Sequence, residues 1–227
     1  MKENDETEKY KHIERVHGIP GEGKGMTGII LSGGKSSRMG LNKAFLEIKG
    51  ERLIDRTLRQ FKELFSEVIL VTNEPLLYLD QDVTLITDIY KRKGPLGGLY
   101  AGLFYSSFDY AFLCPCDMPY LNTKFIRYMM ERVAGYDIVI PETPEGYHPL
   151  HAIYSRRCLP TIKSLLMRDR LKMIGCFKGM RVLFIPEPVI RSYDPEGRMF
   201  MNINTQQDLQ QALALKNKAD DKEIFRG

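Results

Sequence analysis

Short, nearly uninterrupted apolar runs recur along this chain. Between them lie stretches whose apolar residues return every third or fourth position. Gly28-Ile29-Ile30-Leu31, Val68–Val71, Val83–Ile86, Tyr110–Leu113, Asp137–Ile140, His151–Tyr154 and Arg181–Ile185 read as strands. Leu53–Phe65, Pro95–Ser106, Thr123–Val133, Cys158–Met167 and Leu171–Lys178 read as helices, and Thr205–Lys216 closes the series as an amphipathic helix. Strands that alternate with helices form βαβ units and a mostly parallel sheet. Strands that are apolar on both sides are covered by helices on both faces. The expectation is therefore an α/β fold: one Rossmann-like three-layer sandwich. In such a sheet ligands bind at the carboxyl ends of the strands, so chemistry is sought just after each apolar run.

At 227 residues the chain suits one domain with appendages. Residues 1–26 are charged, poor in large aliphatics and end in Gly18-Ile19-Pro20-Gly21-Glu22-Gly23-Lys24-Gly25, a linker composition. The expected division is a flexible polar extension (1–26), one α/β domain (27–216) and a polar tail (217–227). The first residues lack the apolar core of a secretory signal, and no run reaches the roughly 20 apolar residues of a membrane span. A cytoplasmic protein without membrane partner is the expectation. The net charge of +4 suits an anionic small ligand but is too weak to point to nucleic acid. Cys114, Cys116, Cys158 and Cys176 have no partners at zinc-site spacing, so buried reduced thiols are expected rather than disulfides or a structural metal.

The loop after the first strand, Ser32-Gly33-Gly34-Lys35-Ser36-Ser37-Arg38-Met39-Gly40-Leu41-Asn42-Lys43, has the makings of an anion site. Its paired glycines let backbone N–H groups approach a ligand, and Lys35, Arg38 and Lys43 can neutralise phosphate. It is not a Walker A loop, because the first glycine of that motif would fall on Ile29. It is not the dinucleotide-binding G-x-G-x-x-G either, since Gly33 and Gly34 are adjacent.

Leu31-Ser32-Gly33-Gly34, Ser37-Arg38-Met39-Gly40 and Asn42-Lys43 together resemble the L-A-G-G-x-x-x-R-M-G-x-x-K signature of sugar-nucleotide-type nucleotidyltransferases. Ser32 stands where alanine is commoner. Cys114-Pro115-Cys116-Asp117-Met118-Pro119 and Gly94-Pro95-Leu96-Gly97-Gly98 resemble the molybdenum cofactor guanylyltransferase branch. His148-Pro149 and Phe200-Met201-Asn202-Ile203-Asn204-Thr205 are similar to its H-P and F-x-N-x-N-T elements. The resemblance implies a nucleotide-diphospho-sugar transferase-like fold and transfer of GMP from GTP to the terminal phosphate of molybdenum-molybdopterin. The product would be the molybdopterin guanine dinucleotide cofactor, with release of pyrophosphate.

It also implies roles. Leu31, Ser32, Gly33 and Gly34 present backbone to the nucleotide. Lys43 meets its phosphates or base, and Arg38 stabilises the triphosphate. Asp117 carries Mg²⁺, and a carboxylate between prolines after a buried strand suits that ion. Asp88 and Asn73 fix the nucleotide. Gly94, Gly98, Asn202 and Asn204 face the pterin, while the alternative for Gly98 is plain helix–sheet packing. Thr205 is expected to cap the last helix. Arg170 or Arg168 corresponds to an arginine of the family. The implied partners are GTP, molybdopterin, and the proteins that deliver molybdopterin or accept the finished cofactor. Two neighbouring activities stay open: a molybdopterin cytidylyltransferase, and a guanylyltransferase for a phosphorylated sugar or corrinoid. A non-catalytic nucleotide-binding adaptor is the alternative from another class.

Overall fold

A computed structural model describes residues 25–33, 43–48, 50–203, 205 and 207–210. Ten strands are present among these residues. They are β1 (Thr27–Leu31), β2 (Glu47–Ile48), β3 (Glu51–Arg52), β4 (Glu67–Val71), β5 (Thr84–Ile86), β6 (Tyr110–Pro115), β7 (Ile138–Thr143), β8 (Gly146–Tyr147), β9 (Ala152–Ser155) and β10 (Val182–Pro186). Five complete α-helices accompany them: α1 (Leu53–Leu64), α2 (Gly94–Tyr105), α3 (Thr123–Met130), α4 (Leu159–Met167) and α5 (Glu187–Tyr193), and residues 207–210 are the described part of a further one.

The main sheet runs β10-β7-β9-β6-β1-β4-β5, with β8 paired to β7. The pairs β1–β4, β1–β6, β4–β5 and β7–β10 are parallel, whereas β9 is antiparallel to both neighbours. No helix separates β7 from β9. The chain turns back through β8, and such a short return can only feed an antiparallel strand. The sheet is thus mostly parallel, as the alternation of runs predicts.

Alternate residues of each strand serve opposite layers. Ile30, Leu70 and Phe112 pack with Leu58 and Phe61 of α1, Phe125 of α3 and Ile190 of α5. Ile29, Ile69 and Leu113 pack with Leu96 and Leu99 of α2 and Ile162 and Leu166 of α4. A Cβ on Gly28 would lie 2.4 Å from the Phe61 ring, so the glycine lets α1 sit close on β1.

Two local expectations are corrected. Leu171–Lys178 is not an α-helix but holds a single 3₁₀ stretch, Met173–Phe177. Gly175 lies at its centre, where helical backbone is disfavoured. Conversely α5 begins between Pro186 and Pro188, residues that look like helix breakers. Proline is tolerated in a helix's first turn, where its missing N–H has no partner to lose. The short β2–β3 hairpin also went unforeseen. The four cysteines are buried and free, as expected. Burial pushes the Cys158 and Cys176 thiols up to about 12 and the Cys114 thiol well above its ordinary value.

Candidate functional site

The chain winds outward from β1 to β4 and β5, then crosses back through α2 to β6 on the other side of β1. The carboxyl ends of β1 and β6 therefore flank the point where winding reverses, the position at which open α/β sheets leave a crevice. Four of the sequence motifs arrive there.

From β1 come Leu31, Ser32 and Gly33. The Leu31 carbonyl accepts from Cys116 N–H at 3.0 Å, which locks the end of β1 to the turn after β6. Ser32 N–H is donated to Val71 O at 2.9 Å, so it is not available to a ligand. Its side chain is 2% exposed and turns inward. Gly33 is exposed, and nothing lies within 4 Å of where its Cβ would be. Gly33 is thus the described residue of this loop that opens to a ligand. Gly34 and Arg38 lie outside the described residues. So does the Lys43 side chain, although Lys43 itself starts a short 3₁₀ turn, Lys43–Phe45.

From β4 and β5 come Asn73 and Asp88. Asn73 Nδ2 donates to Asp88 Oδ2 at 2.8 Å, which couples the two loops. Asp88 also lies over α2: a Cβ on Gly98 would be 2.8 Å from Leu31 Cδ2 and 3.7 Å from Asp88 Oδ1. Gly98 is buried, and its smallness serves the packing of α2 on β1 rather than an exposed pterin contact. Gly94 is exposed at the start of α2, with a φ of 60° that disfavours a side chain. Just beyond α4, Asp169 pairs with Lys93 at 2.9 Å, which brings the exposed Arg168 and Arg170 segment to this end of α2.

From β6 comes Asp117, half-buried in a turn. Its carbonyl accepts from Ile203 N–H at 2.9 Å. The late segment is thereby tied to the Asp117 turn, and the exposed Asn202 stands next to that bond. Asn204 lies outside the described residues. Thr205 caps as expected: Thr205 Oγ1 accepts from Asp208 N–H at 3.1 Å, and Asp208 Oδ2 accepts from Thr205 N–H at 2.8 Å.

His148 and His151 support this late segment from beneath. His148 stacks on Phe200 with ring centroids 3.7 Å apart, and its Nε2 bonds Thr143 Oγ1 at 3.0 Å. His151 sits edge-on to Phe200 and Phe112, and burial holds its imidazole down at about 3, so it is neutral and structural. Burial also lowers His148.

Among the described residues no group of three or more His, Cys, Asp and Glu side chains converges as a metal site. A Mg²⁺ ion that takes most of its ligands from water and phosphate needs only one or two protein carboxylates. Asp117, set between prolines at the reversal point, has the right donor chemistry for that. A hollow of about 760 Å³ lies elsewhere, at the amino ends of β4 and β5 around Glu67 and Ser107. Its polar groups bond to one another, and we therefore favour the reversal point.

Sequence reading did not anticipate Tyr78. It is fully buried, and its hydroxyl lies 2.6 Å from Ser32 Oγ. No pattern in Pro75-Leu76-Leu77-Tyr78-Leu79 singles it out.

Residues 28–176 match the family described as MobA-like NTP transferase domain. A curated relative from Desulfosudis oleivorans, named molybdenum cofactor guanylyltransferase, is 39% identical over 191 residues, covering 83% of this chain and 95% of the relative. One from Peptoclostridium acidaminophilum, named probable molybdenum cofactor guanylyltransferase, is 38% identical and covers 81% of this chain and 86% of its own length. Among solved structures, molybdopterin-guanine dinucleotide biosynthesis protein A from Archaeoglobus fulgidus superposes with a TM-score of 0.75 at 25% identity. That match covers 85% of this chain and all of the other. No helix of the described residues is long and apolar enough to cross a membrane.

Proposed function

The chain belongs to the MobA-like NTP transferase family, and from that premise we propose that it transfers GMP from GTP to the terminal phosphate of molybdenum-molybdopterin. An oxygen of the acceptor phosphate bonds to the α-phosphorus of GTP, the bond from that phosphorus to the β-phosphate oxygen breaks, and pyrophosphate leaves. The products are molybdopterin guanine dinucleotide and pyrophosphate. One observation carries the reading. Segments far apart in sequence, around Gly33, Asp88, Asp117 and Asn202, are linked by hydrogen bonds and close packing at one reversal point of the sheet.

The attacking phosphate is already an oxyanion, so no side-chain nucleophile or strong base is needed. The protein's task is positioning and charge stabilisation. Gly33 and Gly34 give backbone to the nucleotide, with Leu31 and Ser32 as their support. Arg38 and Lys43 neutralise the triphosphate. Asn73 orients Asp88 toward the nucleotide. Asp117 would hold Mg²⁺, which neutralises phosphate charge when bound. Gly94, Asn202 and Asn204 face the pterin, whose donors and acceptors an amide can match. The division at residues 26 and 216, a cytoplasmic location, and partnership with molybdopterin-delivering and acceptor molybdoenzyme proteins belong to the same proposal.

The test is nucleotide choice. With Mg²⁺ present, GTP should raise the melting temperature while CTP, ATP and UTP do not, because only a ligand of the native state stabilises it. GTP with loaded molybdopterin should then release pyrophosphate. Selective stabilisation by CTP would overturn the guanylyl assignment.

A further inference from the structure

Tyr78 is out of place for a residue in a surface turn. Around it Leu76 is 79% exposed and Leu79 71%, yet Tyr78 is fully buried. Hydrophobic burial alone would have taken a leucine. What Tyr78 adds is a hydroxyl and a flat ring, and both are used.

The hydroxyl is 2.6 Å from Ser32 Oγ, and Ser32 in turn donates to Cys116 Sγ at 3.3 Å. With the serine proton directed at the thiol, the phenol is the donor to Ser32. The ring stacks on Phe45 at 5.2 Å and 24°. The guanidinium of Arg52 lies 5.5 Å from the Phe45 ring and binds Asp80 at 2.8 Å, two residues beyond Tyr78. Ser32 enters the glycine-rich segment and Phe45 leaves it. Cys116 immediately precedes Asp117.

We propose that Tyr78 is a positioning residue for nucleotide binding: it braces the entry and the exit of the glycine-rich segment together and ties them to the turn that bears Asp117. The serine at position 32, where the family signature has alanine, is what gives the phenol its partner. The inference rests on the guanylyltransferase reading, since that reading makes the segment a GTP site.

The test uses full-length protein, GTP binding by calorimetry, and steady-state pyrophosphate release. Tyr78→Phe keeps the ring and removes the hydroxyl. It should raise both the GTP Kd and the GTP KM about fivefold, the scale of one lost buried hydrogen bond. Its kcat should stay within about twofold, and its melting temperature within about 4 °C of wild type, since the ring packing is kept and one hydrogen bond is lost. Ser32→Ala, which also loses the bond to Cys116, should give at least the same KM shift, and the double variant should be no worse than Ser32→Ala alone, because the Tyr78–Ser32 bond is already lost there. An unchanged KM in Tyr78→Phe, a lowered melting temperature with KM unchanged, or independent multiplication of the two effects would each overturn the inference. Wild-type protein that fails to bind GTP at all would instead overturn the functional reading on which it rests.

Discussion

The two edges of the main sheet differ in how their polar residues are used. At the amino edge they bind each other. Thr27 Oγ1 donates to Glu67 Oε2 and bonds Ser106 Oγ, each at 2.6 Å. Ser107 gives Glu67 two more bonds, from N–H and from Oγ. Asp137, just before β7, accepts from Arg181 N–H at 3.0 Å and faces the guanidinium groups of Arg157 and Arg181. At the carboxyl edge the backbone is tied down instead, through Leu31 with Cys116 and Asp117 with Ile203, while Gly33, Asn73 and Asn202 stay exposed. A network that closes on itself holds a fold together. A rigid backbone that presents polar groups outward is ready to hold something else. The same residue types bond to one another at one edge and stay exposed at the other, and placement alone separates them.

The sharpest challenge to that contrast is Asp117→Ala. It should lower kcat/KM for GTP by about 100-fold or more, on the order of 3 kcal/mol of transition-state stabilisation, with little change in melting temperature. Pyrophosphate release and a thermal melt measured together would check it, and retained activity would remove Asp117 from the machinery.

Acid should separate the edges next. His151, on the carboxyl side, is held neutral: its imidazole falls from 6.5 to about 3 on folding. The unfolded chain then binds a proton that the native state does not, so stability falls as pH drops from 6.5 toward 3. The slope is about 1.4 kcal/mol per pH unit, or about 2 kcal/mol between pH 6.5 and 5. Asp137 works in a lower window. The Arg181 N–H holds its carboxyl below the model-compound value of 3.8, so its stabilisation is intact above that value and is lost only as pH falls beneath it. Urea unfolding at pH 7, 6 and 5 should show the loss in wild type and a flatter profile in His151→Leu. Equal slopes would break the distinction.

Glu67→Ala is the mirror of Asp117→Ala. It strips the acceptor from three hydrogen bonds at the amino edge and should cost about 2 kcal/mol of stability, read from denaturant unfolding, while kcat at 25 °C stays at the wild-type value. Smallest is Asn73→Ala, which releases Asp88 from its partner. The GTP KM should rise about threefold, less than the energy of one hydrogen bond in full, because both groups are exposed to water. Initial rates at varied GTP would measure it.

Much of this was legible in the residues. The apolar runs announced the strands because a sheet buried on both faces leaves no polar position to interrupt them. Leu31-Ser32-Gly33-Gly34 and Cys116-Asp117-Met118-Pro119 stood out as a pair: alone, the first reads as a solvated turn and the second equally well as a turn-forming aspartate, and together their spacing resembles one family. Thr205 read as a cap because the capping bond is local. The misses have separate causes. α5 was hidden between two prolines that fit a first turn. Met173–Phe177 had helical periodicity around a glycine that its neighbours could hold only as a 3₁₀ stretch. Gly98 carried a family motif but is fixed by Leu31, a residue 67 positions earlier.

Sequence by itself determined the layers, the parallel character of the sheet and the motifs at its carboxyl ends, because periodicity and turn chemistry act between near neighbours. Only the tertiary structure decided that β9 runs antiparallel, that the reversal between β1 and β6 gathers four distant segments, and that Ser32 turns inward to a tyrosine 46 residues away. Those outcomes depend on which strand lies beside which. Strand order is set by competition among long-range contacts, and no local pattern records it.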